Sequence, residues 1–125
     1  MLSGVSMIDK RRMTARPVYV KIFNEQTVDL FTKKLNTDAY INSRALGWDT
    51  KPESTENLPA QCGELISENC FGHTGYTGTS LWCDKERGLI IIFLTNRTYP
   101  HRGSSEIKNI RPKVCDEIIK IFDNK

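Results

Sequence analysis

The side chains in this sequence best placed for chemistry are His73-Thr74-Gly75. They lie in Phe71-Gly72-His73-Thr74-Gly75-Tyr76-Thr77-Gly78-Thr79-Ser80-Leu81-Trp82, where small, polar and aromatic residues alternate. An imidazole followed by a hydroxyl offers hydrogen-bond donors and acceptors side by side. Gly72, Gly75 and Gly78 let another backbone, or a bound molecule, come close. A strand of this kind that runs into a hairpin lines a cleft. The competing reading is a hydrogen-bonded strand histidine with no chemical role.

Other chemistries find less support. The cysteines are Cys62, Cys70, Cys83 and Cys115, none in a C-x-x-C pair, and the chain has only two histidines. No metal site and no cofactor are expected from that set. The start, Met1 to Met7, lacks the basic and apolar regions of a secretion signal. The thiols therefore read as reduced and partly buried in a cytoplasmic chain. Leu89 to Leu94 is the longest unbroken apolar run and is far too short to span a bilayer, so no membrane partner is expected. The net charge of +3 is too small to argue for nucleic acid, and Lys10-Arg11-Arg12 is the one basic cluster.

A chain of 125 residues with 38% hydrophobic and 26% charged residues holds one globular domain at most. Residues 1–16 show no steady period and read as a loose N-terminal arm, with the folded part over 17–125. Pro17 to Phe23 is β-branched and aromatic and suits a short extended segment. Asn24 offers an N-cap to a helix over 25–35, with Val28, Phe31 and Leu35 at helical spacing. A long connection over 36–70 follows, in which Trp48 is a packing anchor. Ser80-Leu81-Trp82-Cys83 reads as strand, and Asp84-Lys85-Glu86-Arg87-Gly88 as a charged hairpin turn. Leu89 to Thr95 has no polar interruption, the pattern of a strand covered on both faces in the middle of a sheet. Ile107, Ile110, Val114, Ile118, Ile121 and Phe122 recur at helical spacing and mark a terminal amphipathic helix, with Pro112 tolerated near its start.

These residues carry a resemblance. Phe71 to Trp82, then Leu94-Thr95-Asn96-Arg97 and Tyr99-Pro100, with Leu46-Gly47-Trp48-Asp49-Thr50 upstream, resemble the C-terminal part of the serine β-lactamase, penicillin-binding protein and esterase family. The likeness covers about residues 22–122. Its anchor is the family's third box, Lys-Thr-Gly in standard form and His73-Thr74-Gly75 here. The resemblance implies an α+β fold: part of a β-lactamase-like sheet, three-stranded and antiparallel over about 70–76, 79–84 and 88–95, with flanking N- and C-terminal helices. In the whole family fold the sheet has about five strands, and its outer two come from the N-terminal part. The edge of the Leu89–Thr95 strand is then bare unless residues 17–23 pair there, and a bare edge invites another chain.

The resemblance also implies roles. A serine one helical turn before a lysine forms an acyl-enzyme with an ester, amide, lactam or peptide-like substrate. His73 and Tyr76 would be catalytic: His73 through a hydrogen bond or partial charge near the proton relay, Tyr76 through a backbone N–H in the oxyanion hole. Thr74, Gly75 and Thr77 would bind substrate. The Ser-x-x-Lys box itself is not found in its family position. Ser105-Glu106-Ile107-Lys108 has the spacing but follows the third box, where a capping or solvent serine is expected. Tyr40-Ile41-Asn42 mimics the second box but lies too close to Leu46-Gly47-Trp48. The expectation is the C-terminal segment of a β-lactamase-like serine hydrolase, inactive alone. The alternative is a non-catalytic interaction module that offers its open sheet edge to a partner strand. A basic-arm nucleic-acid binder is a weaker third reading.

Overall fold

In a computed structural model, residues 5–6, 19–35, 44–52 and 60–125 are described. Most of the expected arm, the Tyr40-Ile41-Asn42 triplet and the loop over 53–59 lie outside them. Strands β1 (Val5–Ser6) and β2 (Tyr19–Val20) pair antiparallel in a small sheet of their own. Helix α1 (Glu25–Thr32) begins where Asn24 Oδ1 accepts the Thr27 N–H at 2.7 Å, so the capping residue read from the sequence sets its start. It ends three residues before the expected Leu35.

The main sheet has four strands, not three. Strand β3 (Asp49–Thr50) precedes β4 (Cys70–Thr74), β5 (Ser80–Asp84) and β6 (Leu89–Phe93), all antiparallel in that spatial order. The added strand pairs Asp49 with Gly72 and Thr50 with Phe71. It is only two residues long, too short for a period-two pattern to be visible. Arg44, which pairs with the Asp49 carboxylate, and the Trp48–Phe71 edge-to-face contact at 5.4 Å hold it in place.

Helix α2 (Ile107–Asp123) covers one face of this sheet. The core there is Ala60, Cys62, Ile66, Cys70, Trp82, Ile91, Cys115 and Ile119. Gly72 is opposite Trp82 in the ladder, and a Cβ at Gly72 would sit 2.4 Å from the Trp82 ring. Only glycine lets that ring lie flat against the strand. Pro112 lacks the N–H that would bond Lys108 O, and Gln61 Nε2 donates to that carbonyl instead, at 3.0 Å.

Three further expectations are corrected. The Leu89–Thr95 strand is not covered on both faces: Ile91 is buried, but Ile90 and Ile92 are 47% and 60% exposed. Strand β6 ends the described sheet, and of the segment 17–23 expected to restore its edge, the described strand Tyr19–Val20 pairs with Val5–Ser6 instead. The buried face of α2 is Ile107, Arg111, Pro112, Cys115 and Ile119, whereas Ile110, Ile121 and Phe122 are exposed.

The β5–β6 turn is anchored by a buried carboxylate. Asp84 accepts from Ser67 N, Glu86 N and Arg87 N at 3.1 Å each, from Arg87 Nη1 at 2.9 Å, and from Ser67 Oγ. Burial alone would push its carboxyl up, but the hydrogen bonds from Ser67 and Arg87 outweigh that and hold it below the usual carboxylate range. Gly88 completes the turn at φ +61°.

Candidate active site

The third-box strand turns immediately after Thr74. Gly75 N–H donates to Thr79 O at 2.7 Å and Gly78 N–H to Gly75 O at 3.0 Å, closing a three-residue loop with Gly78 at φ +96°. A Cβ at Gly78 would lie 2.5 Å from Thr95 Oγ1 and 2.9 Å from Ile107 Cγ1. The turn is therefore wedged between the continuation of β6 and the first residue of α2.

Arg97 is the clamp. Its backbone N–H donates to Thr77 O at 2.8 Å, and its Nε to Tyr76 O at 2.7 Å. Its Nη1 reaches Arg102 O at 3.2 Å and Ser104 O at 3.0 Å, and the guanidinium lies 4.7 Å from the Tyr76 ring centroid. Thr95 Oγ1 adds a hydrogen bond to Thr77 O at 3.2 Å. The Thr95-Asn96-Arg97 stretch thus ties the third-box turn to the loop that enters α2.

Between that turn and that loop is a cleft of about 390 Å³. Thr74, Gly75 and Tyr76 form one side; Ser104, Ser105 and Lys108 face them, with Arg97 and Arg111 also lining the space. No hydrogen bond among the described residues uses the Tyr76 N–H. His73 does not line the cleft. It is exposed, on the opposite face of the pleat from Thr74, and its Nδ1 is 2.9 Å from Thr74 O. Thr77 is exposed, with its carbonyl engaged by Arg97 and Thr95.

Ser105 and Lys108, the Ser-x-x-Lys lookalike, both reach this cleft. Their side chains make no hydrogen bond to each other; the Lys108 backbone N–H donates to Ser105 O at 3.0 Å. No side chain caps α2, so Ser105 is an exposed serine before the helix rather than a capping one.

The Beta-lactamase family model matches residues 7–113. The chain belongs to the Beta-lactamase family. It is 36% identical over 80 residues to the N-acetylmuramyl-L-alanine amidase of Bacillus subtilis (strain 168), covering 64% of this chain and 17% of that protein. It is 35% identical over 82 residues to an Escherichia coli (strain K12) protein whose name is that of a D-alanyl-D-alanine carboxypeptidase, covering 66% and 17%. The chain thus spans about a sixth of the length of these curated relatives. The crystal structure of a β-lactamase from Mycobacterium bovis superposes with a TM-score of 0.50 at 23% identity, over 62% of this chain and 26% of that one. The four-stranded sheet with its two helices is accordingly a partial β-lactamase-like fold.

The residue that sequence reasoning missed is Arg111. It was hidden by an apolar row drawn through Ile110 and Val114, although Ile107, Arg111, Cys115 and Ile119 stand at a regular spacing of four. An arginine inside such a row is the signal that could have found it. Among the described residues no metal-binding group of His, Cys, Asp and Glu occurs, and no helix is long and apolar enough to cross a membrane.

Proposed function

We propose that this chain forms the third-box wall of a serine acyl-transfer site that cleaves an amide, ester or lactam bond, the attacking serine coming from a part of the fold that these residues do not include. The observation that carries this reading is the Tyr76 N–H, unengaged among the described residues and directly after His73-Thr74-Gly75, at the rim of a cleft. An N–H held in a rigid turn and free of other partners suits the developing oxyanion of a tetrahedral intermediate. Gly75 leaves the strand clear for substrate to lie along it. Thr74 places a hydroxyl in the same cleft, and among the described residues that hydroxyl makes no hydrogen bond.

His73 takes the position of the standard box lysine. From an exposed site it reaches the reaction only when the opposite wall is present. The two named relatives, an amidase and a carboxypeptidase, favour amide or peptide-like substrates over simple esters. The edge of β6, which no strand among the described residues covers and beside which Ile90, Ile92 and Leu94 are exposed, is where further strands of the family sheet would pair. The same edge supports the second reading, a module that binds a partner strand.

A chimera tests the first reading. The matching segment of the Escherichia coli relative is replaced by this chain's residues, and acylation by a labelled β-lactam is followed. Acylation that falls by about tenfold or more in Thr74→Val supports the proposal. A folded chimera that is never acylated refutes it.

A further inference from the structure

We propose that Cys62 and Cys70 form a redox-active dithiol, in which a hydroperoxide oxidises Cys70 and Cys62 then closes a disulfide with it. Both residues belong to the core beneath α2, at 0% and 1% exposure, and their thiols lie against each other. Cys83 is no partner for either. It stands opposite Phe71 in the ladder, and so on the other face of the sheet from Cys70. Cys115 reaches the same core from α2 and is the one competing thiol there. A buried cysteine often serves only as a small hydrophobe. The surroundings of this pair argue for more.

The β3–β4 register pairs Asp49 with Gly72 and Thr50 with Phe71, and its next step sets Lys51 opposite Cys70. Lys51 Nζ donates to Glu64 O and Ile66 O at 3.0 Å each and pairs with the Glu68 carboxylate at 2.9 Å. All three acceptors belong to the segment that joins Cys62 to Cys70. The same segment is fixed from outside by Leu65 N–H, which donates to Asp116 Oδ1 at 2.9 Å, and by Ser67 N–H, which donates to Asp84 Oδ2 at 3.1 Å. The two thiols are therefore held in contact by the fold. Contact with the Cys62 thiol, and then the Lys51 backbone N–H and charge, hold Cys70 below the ordinary thiol range against the effect of burial. The same contact, and then burial, push Cys62 up. One sulfur is thus suited to attack and the other to keep its proton until it is needed. A cleft of about 600 Å³ between the end of α1 and the start of β4 has Cys70 in its wall, but neither Cys62 nor Cys115. It brings a small hydroperoxide to Cys70 first, while the near-complete burial of that residue shuts out larger reagents.

The chemistry has two steps. The Cys70 thiolate attacks one oxygen of the hydroperoxide and the O–O bond breaks. The other oxygen takes a proton from water and leaves as water or an alcohol, and Cys70 becomes a sulfenic acid. The Cys62 sulfur then attacks the Cys70 sulfur and the S–O bond breaks. The Cys62 proton leaves with the departing hydroxide as water. Two thiols are oxidised to one disulfide, and the hydroperoxide is reduced. An external dithiol reverses the bond by exchange.

Hydrogen peroxide on the whole native chain at neutral pH is the test, followed by intact mass and by thiol count. The mass is expected to fall by about 2 Da and to be restored by dithiothreitol. The native rate is expected to exceed that of the urea-unfolded chain at least about tenfold, because an ordinary thiol is mostly protonated at that pH. A glutamyl-specific protease, cutting after Glu64 and Glu68, should leave the Cys62 and Cys70 fragments joined. Cys83→Ser and Cys115→Ser should each keep that cross-link. Cys62→Ser should stop at a sulfenic acid on Cys70 that dimedone captures, and Cys70→Ser should give neither product. A native rate no faster than the unfolded one overturns the proposal. So does a cross-link that runs to Cys83 or Cys115, or a dimedone adduct on any cysteine other than Cys70. If Cys62→Ser does not fold, the wild-type rate and cross-link alone decide.

Discussion

Asp84→Asn removes the charge of a buried carboxylate while leaving the side-chain shape intact. The Asp84 side chain is fully buried, and its two oxygens accept five hydrogen bonds, from Ser67, Glu86 and Arg87. Whichever way the new amide turns, its NH2 faces at least two N–H donors. In one orientation these are Ser67 N and Arg87 Nη1; in the other, Glu86 N and Arg87 N. Two bonds to a charged acceptor at about 1.5 kcal/mol each give a loss of roughly 3 kcal/mol at neutral pH. For a chain of this length that lowers Tm by roughly 10 °C. Arg87 keeps its paired contacts to Asp123 at 2.9 Å, so the loss is not larger.

The sign of the pH dependence follows from the depressed Asp84 carboxyl. Its stabilisation is complete above the ordinary carboxylate range and is lost as pH falls through the lower folded-state value. The gap between wild type and Asp84→Asn, measured by urea unfolding, is therefore widest near neutrality and closes on acidification. A gap below about 1 kcal/mol at neutral pH, or one that stays constant into the acid range, refutes this account of the turn.

Other outcomes follow from the same contacts. Gly78→Ala places a Cβ at positive φ and within 3 Å of both Thr95 Oγ1 and Ile107 Cγ1, so it should cost at least about 2 kcal/mol in urea unfolding and loosen the third-box turn. Gly88→Ala, at positive φ but in open space, should cost only about 1 kcal/mol in the same assay. All four thiols are buried, and burial pushes Cys83 up and Cys115 up to about 11. A thiol-titrating disulfide reagent should therefore react slowly with native chain and fully after denaturation; fast native reaction at any cysteine would contradict that packing.

The hairpin was legible because its signals were local. Asp84 to Gly88 carries a charged turn with a glycine where φ is +61°, and Asn24 carries a cap whose side chain bonds three residues on. What failed was long-range. Asp49–Thr50 joins the sheet through Arg44, Trp48 and Phe71, contacts that no pattern in two residues can announce. An unbroken run such as Leu89–Leu94 has no alternation, so it cannot say which face is covered or whether a neighbour exists beyond it. The site was legible to the same degree. The third box led to Thr74, Gly75 and Tyr76, which do share a cleft, whereas His73 faces the other side of the pleat and Thr77 faces solvent. Arg111 stayed hidden because arginine on a helix is ordinarily read as surface, and only its burial marks it out.

Treatment of the purified chain with a fluorophosphonate, followed by mass spectrometry of the intact protein and its peptides, tests the claim that these residues supply a wall and not the attacking group. The account predicts no serine modified beyond the level of a urea-unfolded control, Ser104 and Ser105 included. Stoichiometric labelling of one serine in the native chain, abolished when that serine becomes alanine, would contradict it.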